Sequence, residues 1–265
     1  MATIEGLKPV SKSRWLHGFN NMLRKENYSW WGTRKWWINI LIWTAMINGF
    51  IALILWVIPL SEPEEIIPLP EALQLFLTLF GAFATIGVIV IAQGAIVREK
   101  QTGTAEWVMS SPVSHGAFIL AKLIANALAI LVIIVLLQSL LFYAQISLRE
   151  GALLPFAPFA AATALVSLSL VFFLTLTLML GTIFSSRGPV IGIAIAVSIG
   201  QDIAAQLLAK PIPWLPNVVP QRLLEFAQLA INEQPIPSNT ALIVASSLSV
   251  LFILVAIWRF GREEF

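Results

Sequence analysis

The sequence contains no cysteine, which excludes disulfides, thiolate metal sites and a cysteine nucleophile but leaves the compartment of its loops undecided. Its two histidines, His17 and His115, cannot build a multi-histidine metal centre. Charge is scarce: 11% of the 265 residues are Asp, Glu, Lys or Arg, against about a quarter in a soluble domain, whose surface must be wetted. That shortage excludes a soluble enzyme, and a 58% hydrophobic share excludes a disordered chain. HExxH and GxSxG are both missing, so neither a zinc protease nor a serine-hydrolase elbow is present. No Gly is followed by Lys, so there is no Walker A loop and no ATP hydrolysis by that route.

What is present is apolar sequence in long runs, with a mean hydropathy of +0.86. Six stretches reach the roughly 20 residues needed to cross a hydrocarbon core about 30 Å thick. They are 36–58, 71–97, 117–143, 153–184 (the longest), 189–208 and 240–258. Each is unbroken, whereas barrel strands would alternate over about ten residues, so the expected fold is an all-α membrane protein of six transmembrane helices. The layout predicts one transmembrane domain over 1–265. Residues 1–35 precede the spans, 36–258 carry them and 259–265 form a tail. No short apolar segment with a small-residue cleavage site precedes the first span, so no cleavable signal peptide is expected.

Thirteen of the 16 basic residues fall on one side of this layout, among them Lys8, Lys12, Arg14, Arg24, Lys25, Arg34, Lys35, Arg98, Lys100 and Arg187. The other side has Arg149, Lys210 and Arg222, and its first loop carries Glu62, Glu64 and Glu65. The positive-inside rule then places both termini in the cytoplasm. The small net charge of +2 is accounted for by topology, and nucleic-acid binding is not expected.

Residues 11–26 read as an amphipathic elbow helix on the membrane surface. Trp15, Phe19, Met22 and Leu23 fall on one face, and Lys12, Arg14, Arg24 and Lys25 reach anionic headgroups. Whether it frames the bundle or merely anchors the chain is open. Trp30, Trp31, Trp36 and Trp37 stand where an aromatic belt belongs. Pro211, Pro213, Pro216 and Pro220 open a long outer segment, in which 221–231 reads as a short amphipathic helix with Leu224, Ala227 and Leu229 on its apolar face. A re-entrant or lid-like element and an ordinary surface loop are both compatible with it.

Gly188, Gly192, Ala196 and Gly200 recur every four residues and form a helix-packing stripe, with a partner in the same chain or in a second copy. Asp202 is the one convincing ionisable group inside a span, with Gln206 and Lys210 following on its face. They mark either a polar point on a pathway or, preferably, an ion pair between Asp202 and a snorkelling Lys210. Asn48, Gln93, Gln138 and Gln145 are expected to link helices by hydrogen bonds. A carrier driven by protons or ions would need several buried acids or bases, and matched broken helices as well. Neither is found.

The connection after the second span starts charged, at Arg98, Glu99 and Lys100, and then turns amphipathic. Thr104 can cap a helix of about two turns, with Glu106 near its positive end and Trp107 and Val108 as an apolar surface; Pro112 closes it. Such a peg suits docking into a cytoplasmic groove, although a solvated loop obeying the positive-inside rule would share its length and charge. The exact string resembles the signature of type-2 ABC transporter permeases, R-E-x-x-x-G-T-x-E followed by apolar residues and S-P-V/I-S. Arg98, Glu99, Gly103, Thr104, Glu106, Ser111, Pro112, Val113 and Ser114 match it, and Lys122 looks like that family's lysine in the third helix. Ala121 stands where a glycine is common, and Trp107 and Val108 where leucines are.

The resemblance implies a permease that pairs with a second copy or paralogue in the lipid bilayer. It also implies two ATP-binding cassette subunits holding the ATP and magnesium, with no cofactor in this chain. Residues 98–112 would form the coupling-helix region, and the glycine stripe and first span would be dimer-interface candidates. The expected function is the membrane subunit of an exporter for amphipathic or lipophilic cargo, in a prokaryotic plasma membrane and without an active site of its own. Rival readings are an ion- or proton-coupled carrier using Asp202 and a non-transport membrane scaffold.

Overall fold

The computed structural model describes residues 15–62, 64 and 66–263, apart from the Asp202 side chain. All regular structure among them is helical. Six helices are long and apolar enough to span a membrane: Lys35–Ser61, Leu69–Gln101, His115–Glu150, Phe156–Ile183, Arg187–Leu207 and Thr240–Phe260. The third, at 36 residues, is the longest, and the fourth has only 28. Pro155 sets the start of the fourth, because a residue before proline is pushed out of the α region. The second and third run beyond their apolar stretches because charged and amide side chains do not end a helix. The third stops at Gly151, which takes a left-handed conformation at φ +67°.

The fourth span is apolar all round and lies at the centre, with 67% of its most apolar window buried. It packs on the second, fifth and sixth spans and on the short Arg222–Ile231 helix. The corresponding windows of the first, fifth and sixth spans are only 28%, 18% and 22% buried, so these helices present broad apolar faces outward. Phe76, Phe142 and Phe159 stack between the second, third and fourth spans, with the Phe76 and Phe142 ring centroids 3.9 Å apart.

Three spans are not uniformly α-helical, the second because Gln93 interrupts it between Ala92 and Gly94. Wide π turns occupy Thr44–Gly49 and Leu53–Val57 in the first span and Leu131–Leu136 in the third. The second of these precedes Pro59, whose ring would collide with the Leu55 carbonyl in a regular α turn. The expected linking role of the amides holds for three of the four. The Asn48 amide donates to Gln138 Oε1 at 2.8 Å, Gln138 donates to Thr44 Oγ1 at 3.1 Å, and Gln145 donates to Asn48 Oδ1 at 2.9 Å. Gln138 also donates to the Ile133 carbonyl inside the third span's π turn, so the network joins that turn to the Thr44–Gly49 turn of the first span. The fourth amide, Gln93, keeps a buried oxygen without a hydrogen-bond partner among the described residues.

The surface helix differs from the expected one. It runs Phe19–Trp31, and residues 11–14 lie outside the described ones. Gly18 interrupts any earlier helix at φ +80° and lies against Val113, so close that a Cβ there would stand 2.9 Å from Val113 Cγ2. Trp15 therefore precedes the helix and is exposed. Met22, Glu26 and Trp30 form its buried face against the third span. Trp30 is thus no part of the aromatic belt but a core residue, 2% exposed, with its indole N–H donating to Asn126 Oδ1 at 3.2 Å.

The outer helix Arg222–Ile231 is docked between the second and fourth spans. Its buried face is Leu223, Phe226, Ala227 and Ile231, while the expected Leu224 and Leu229 are half-buried at its margins. The Gln201 carboxamide oxygen accepts from the Gln221 backbone N–H at 3.0 Å and ties the segment to the fifth span.

Candidate coupling site and cavity

At the basic end of the bundle the second span passes through Arg98, Glu99 and Lys100 and stops at Gln101. Gly103, at φ +69°, reverses the chain in a conformation costly for most side chains, and the Thr104–Met109 helix follows. Gly103 is the N-cap and Thr104 the first helical residue. The Thr104 hydroxyl bonds the Thr102 hydroxyl at 2.8 Å instead of capping, because the left-handed glycine places it past the cap position. Val108 is not part of the exposed apolar surface: it and Ala105 turn inward and are buried, which leaves Trp107, 76% exposed, beside the exposed Glu106.

This short helix has a stiff base. Lys122 of the third span is 2% exposed, and its Nζ lies 2.9 Å from Glu26 of the surface helix and 2.9 Å from Glu99. Lys25 adds a second cation 2.8 Å from Glu99. Lys100 bonds the Thr182 carbonyl at 3.0 Å and Glu263 at 2.7 Å, and Gln101 donates to the Ser185 carbonyl at 2.9 Å. Beyond the short helix, Ser114 caps the third span by accepting the Ala117 N–H, while its own N–H donates to the His17 carbonyl at 3.1 Å. The two ends of the 98–114 connection are therefore bonded to the surface helix, the third and fourth spans and the C-terminal tail.

Composition and spacing do not bring Glu26 or Asn126 to notice, and they assign Lys25 to headgroups, whereas it lies 2.8 Å from Glu99. The available hint was that Glu26 is the one acid within a basic segment running from Lys8 to Lys35. Arg98, by contrast, stays outside the ion-pair cluster. With Thr104 it lines a cavity of about 490 Å³ at this end of the bundle, bounded also by Lys35, Gln93, Gly94 and Arg187. Pro112 is exposed at the far side of the loop.

The family described as ABC-2 family transporter protein matches residues 21–265, which takes in this site apart from the His17 carbonyl and the first two residues of the surface helix. The chain belongs to that family. It is also 24% identical over 200 residues to the uncharacterized transmembrane protein YxlG of Bacillus subtilis (strain 168), a stretch covering 74% of this chain and 76% of that protein. This chain is accordingly an integral membrane protein and the membrane subunit of an ABC transporter.

A second cavity of the permease, about 420 Å³, lies between the second, fourth and fifth spans under the outer helix. Ile86, Ile89, Leu170, Ile195, Ile199 and Leu224 give it apolar walls, and Thr78, Thr85, Ser169, Ser198 and Gln221 place a few polar groups in them. Gln206 is exposed and outside this lining, and the Asp202 side chain lies outside the described part of the chain. On the fifth span, a Cβ added at Gly188, Gly192 or Gly200 would meet nothing within 4 Å, and Ala196 is exposed. The small-residue stripe thus packs against none of the described residues of its own chain.

Proposed function

We propose that this permease is the membrane half of an ATP-driven exporter, in which two ATP-binding cassette subunits dock on Glu106 and Trp107 of the Thr104–Met109 helix. One observation carries the reading: an exposed tryptophan and carboxylate sit on a helix whose flanking residues are bonded to the surface helix, the third and fourth spans and the C-terminal tail. A large exposed aromatic side chain is costly in water and well suited to a partner's pocket. A rigid base lets a push on that helix move whole spans instead of bending a loop.

In this mechanism ATP binding closes the two cassette subunits on each other, and residues 99–111 pass the movement to the second and third spans. Hydrolysis, with ATP and magnesium held by the cassette subunits, resets the cycle. Both termini and the basic end face the cytoplasm, as the distribution of basic residues favours. A second permease copy or paralogue packs on the open stripe at Gly188, Gly192, Ala196 and Gly200, where close backbone approach is available. The first span, with its outward apolar face, completes that interface. The cargo is amphipathic or lipophilic, a class suited to an apolar cavity with scattered hydroxyl groups and no charge in its lining.

The deciding experiment is co-purification of the tagged permease from its native cells in mild detergent, with ATPase and transport assays. Glu106→Ala and Trp107→Ala should insert normally yet lose cargo-stimulated ATP turnover. Intact coupling in both variants would remove this helix from the mechanism.

A further inference from the structure

We infer that the basic-end cavity is a binding site for a phosphate group, and that its occupant is the headgroup of an anionic phospholipid. Neither the cargo nor the cassette subunits take part in this site. Five cations and two carboxylates line the cavity. Both carboxylates, Glu26 and Glu99, are paired through Oε1 with Lys122 and Lys25, and the buried Glu99 Oε2 has no hydrogen-bond partner among the described residues. That leaves Lys35, Arg98 and Arg187, which make no ion pair among the described residues although they belong to three different spans. Uncompensated cations converging on one cavity repel one another, and an anion placed between them removes that cost.

The chemistry of the remaining groups narrows the anion to a phosphate. Two guanidinium groups can each bind phosphate through two parallel hydrogen bonds, and an ammonium adds a point charge. Thr102 and Thr104 bring hydroxyl groups to the same wall. The floor is Gly94: a Cβ there would already be 3.8 Å from Arg187 Cζ, so the missing side chain is what leaves room beside the guanidinium. A volume of about 490 Å³ falls within the roughly 300–1,000 Å³ of small-molecule sites. A lipid source is favoured by the surroundings. Lys35 opens the first span, and exposed Trp36 and Trp37 follow it, placing the cavity in the aromatic layer where headgroups lie. Basic pockets between membrane helices at that level are suited to anionic headgroups.

The test uses the full chain in nanodiscs of phosphatidylcholine with or without phosphatidylglycerol. Lipid retained on release is counted by native mass spectrometry, and labelled inorganic phosphate is titrated into the phosphatidylcholine discs. Arg98→Gln with Arg187→Gln removes two cations, each worth roughly fivefold in headgroup affinity, so retention should fall about 25-fold. Gly94→Leu fills the floor while keeping every charge and should abolish binding as well; it decides the matter alone if the double variant does not fold. Phosphatidylglycerol retention lost in both variants supports the site with lipid as its occupant. Phosphate binding without lipid retention, lost in both variants, supports a phosphate site filled from solution and overturns the lipid assignment. Failure to bind either ligand, or binding that survives Gly94→Leu or the double substitution, overturns the proposal.

Discussion

Lys122 offers the sharpest test of how the basic end is held together. Lys122→Met keeps the side-chain volume nearly constant, so packing changes little and the charge is what is lost. Its 2%-exposed ammonium lies 2.9 Å from both Glu26 and Glu99, whose side chains are 10% and 15% exposed. Removing one partner of a buried ion pair costs about 3–5 kcal/mol, because the other charge is left in a poor solvent. Here Lys25 still stands 2.8 Å from Glu99 and 3.7 Å from Glu26, so the low end, about 3 kcal/mol, is expected. Lys25 itself is 43% exposed, and Lys25→Met should cost about 0.2–1 kcal/mol, as exposed pairs do. A gap of about 2 kcal/mol is roughly a thirtyfold difference in unfolding equilibrium. It can be read by titrating the purified chain with a denaturing detergent in mixed micelles. Adding Glu26→Gln to Lys122→Met should recover part of the loss, since the orphaned carboxylate is then neutral. Equal effects of Lys122→Met and Lys25→Met would refute the view that the buried lysine fastens the surface helix to the third span.

Three further outcomes follow from the packing. Gly103 has open space around it but φ +69°, so Gly103→Ala should cost about 1–2 kcal/mol and Gly103→Asn less, a backbone effect measurable in the same titration. Gln138→Leu removes three side-chain hydrogen bonds, although the Asn48 amide keeps its 3.2 Å bond to the backbone carbonyl of position 138, and should destabilise by about 1–3 kcal/mol; Gln145→Leu leaves the buried Asn48 Oδ1 without a donor among the described residues and should cost about as much. A Cβ at Gly87 would stand 2.7 Å from the buried Trp43 ring, so Gly87→Ala should cost about 1–3 kcal/mol of overpacking.

The elbow and outer helices show where one-dimensional reading stops. Apolar spacing rightly predicts a helix in both places, but spacing cannot tell a lipid-facing stripe from a protein-facing one when lipid and core are equally apolar. Trp30 and Val108 look like surface residues in sequence and are core residues in space, because the third span passes under the first and the second span lies beneath the other. Thr104 has the chemistry of a cap, yet the left-handed Gly103 takes that position.

Six spans, a helical fold and the asymmetry of basic charge were settled by the sequence alone, since bilayer thickness and the cost of unpaired backbone groups in hydrocarbon leave a long apolar run one option. The motif from Arg98 to Ser114 marked the segment proposed for coupling because its residues are contiguous. Only the tertiary structure decided what braces that segment and what surrounds Arg98. Lys122 meets Glu26 across 96 positions of sequence, and Arg98 and Arg187 come to one cavity from different spans. Ion pairs and cavities depend on distance in space, which helix packing sets and the order of residues along the chain does not reveal.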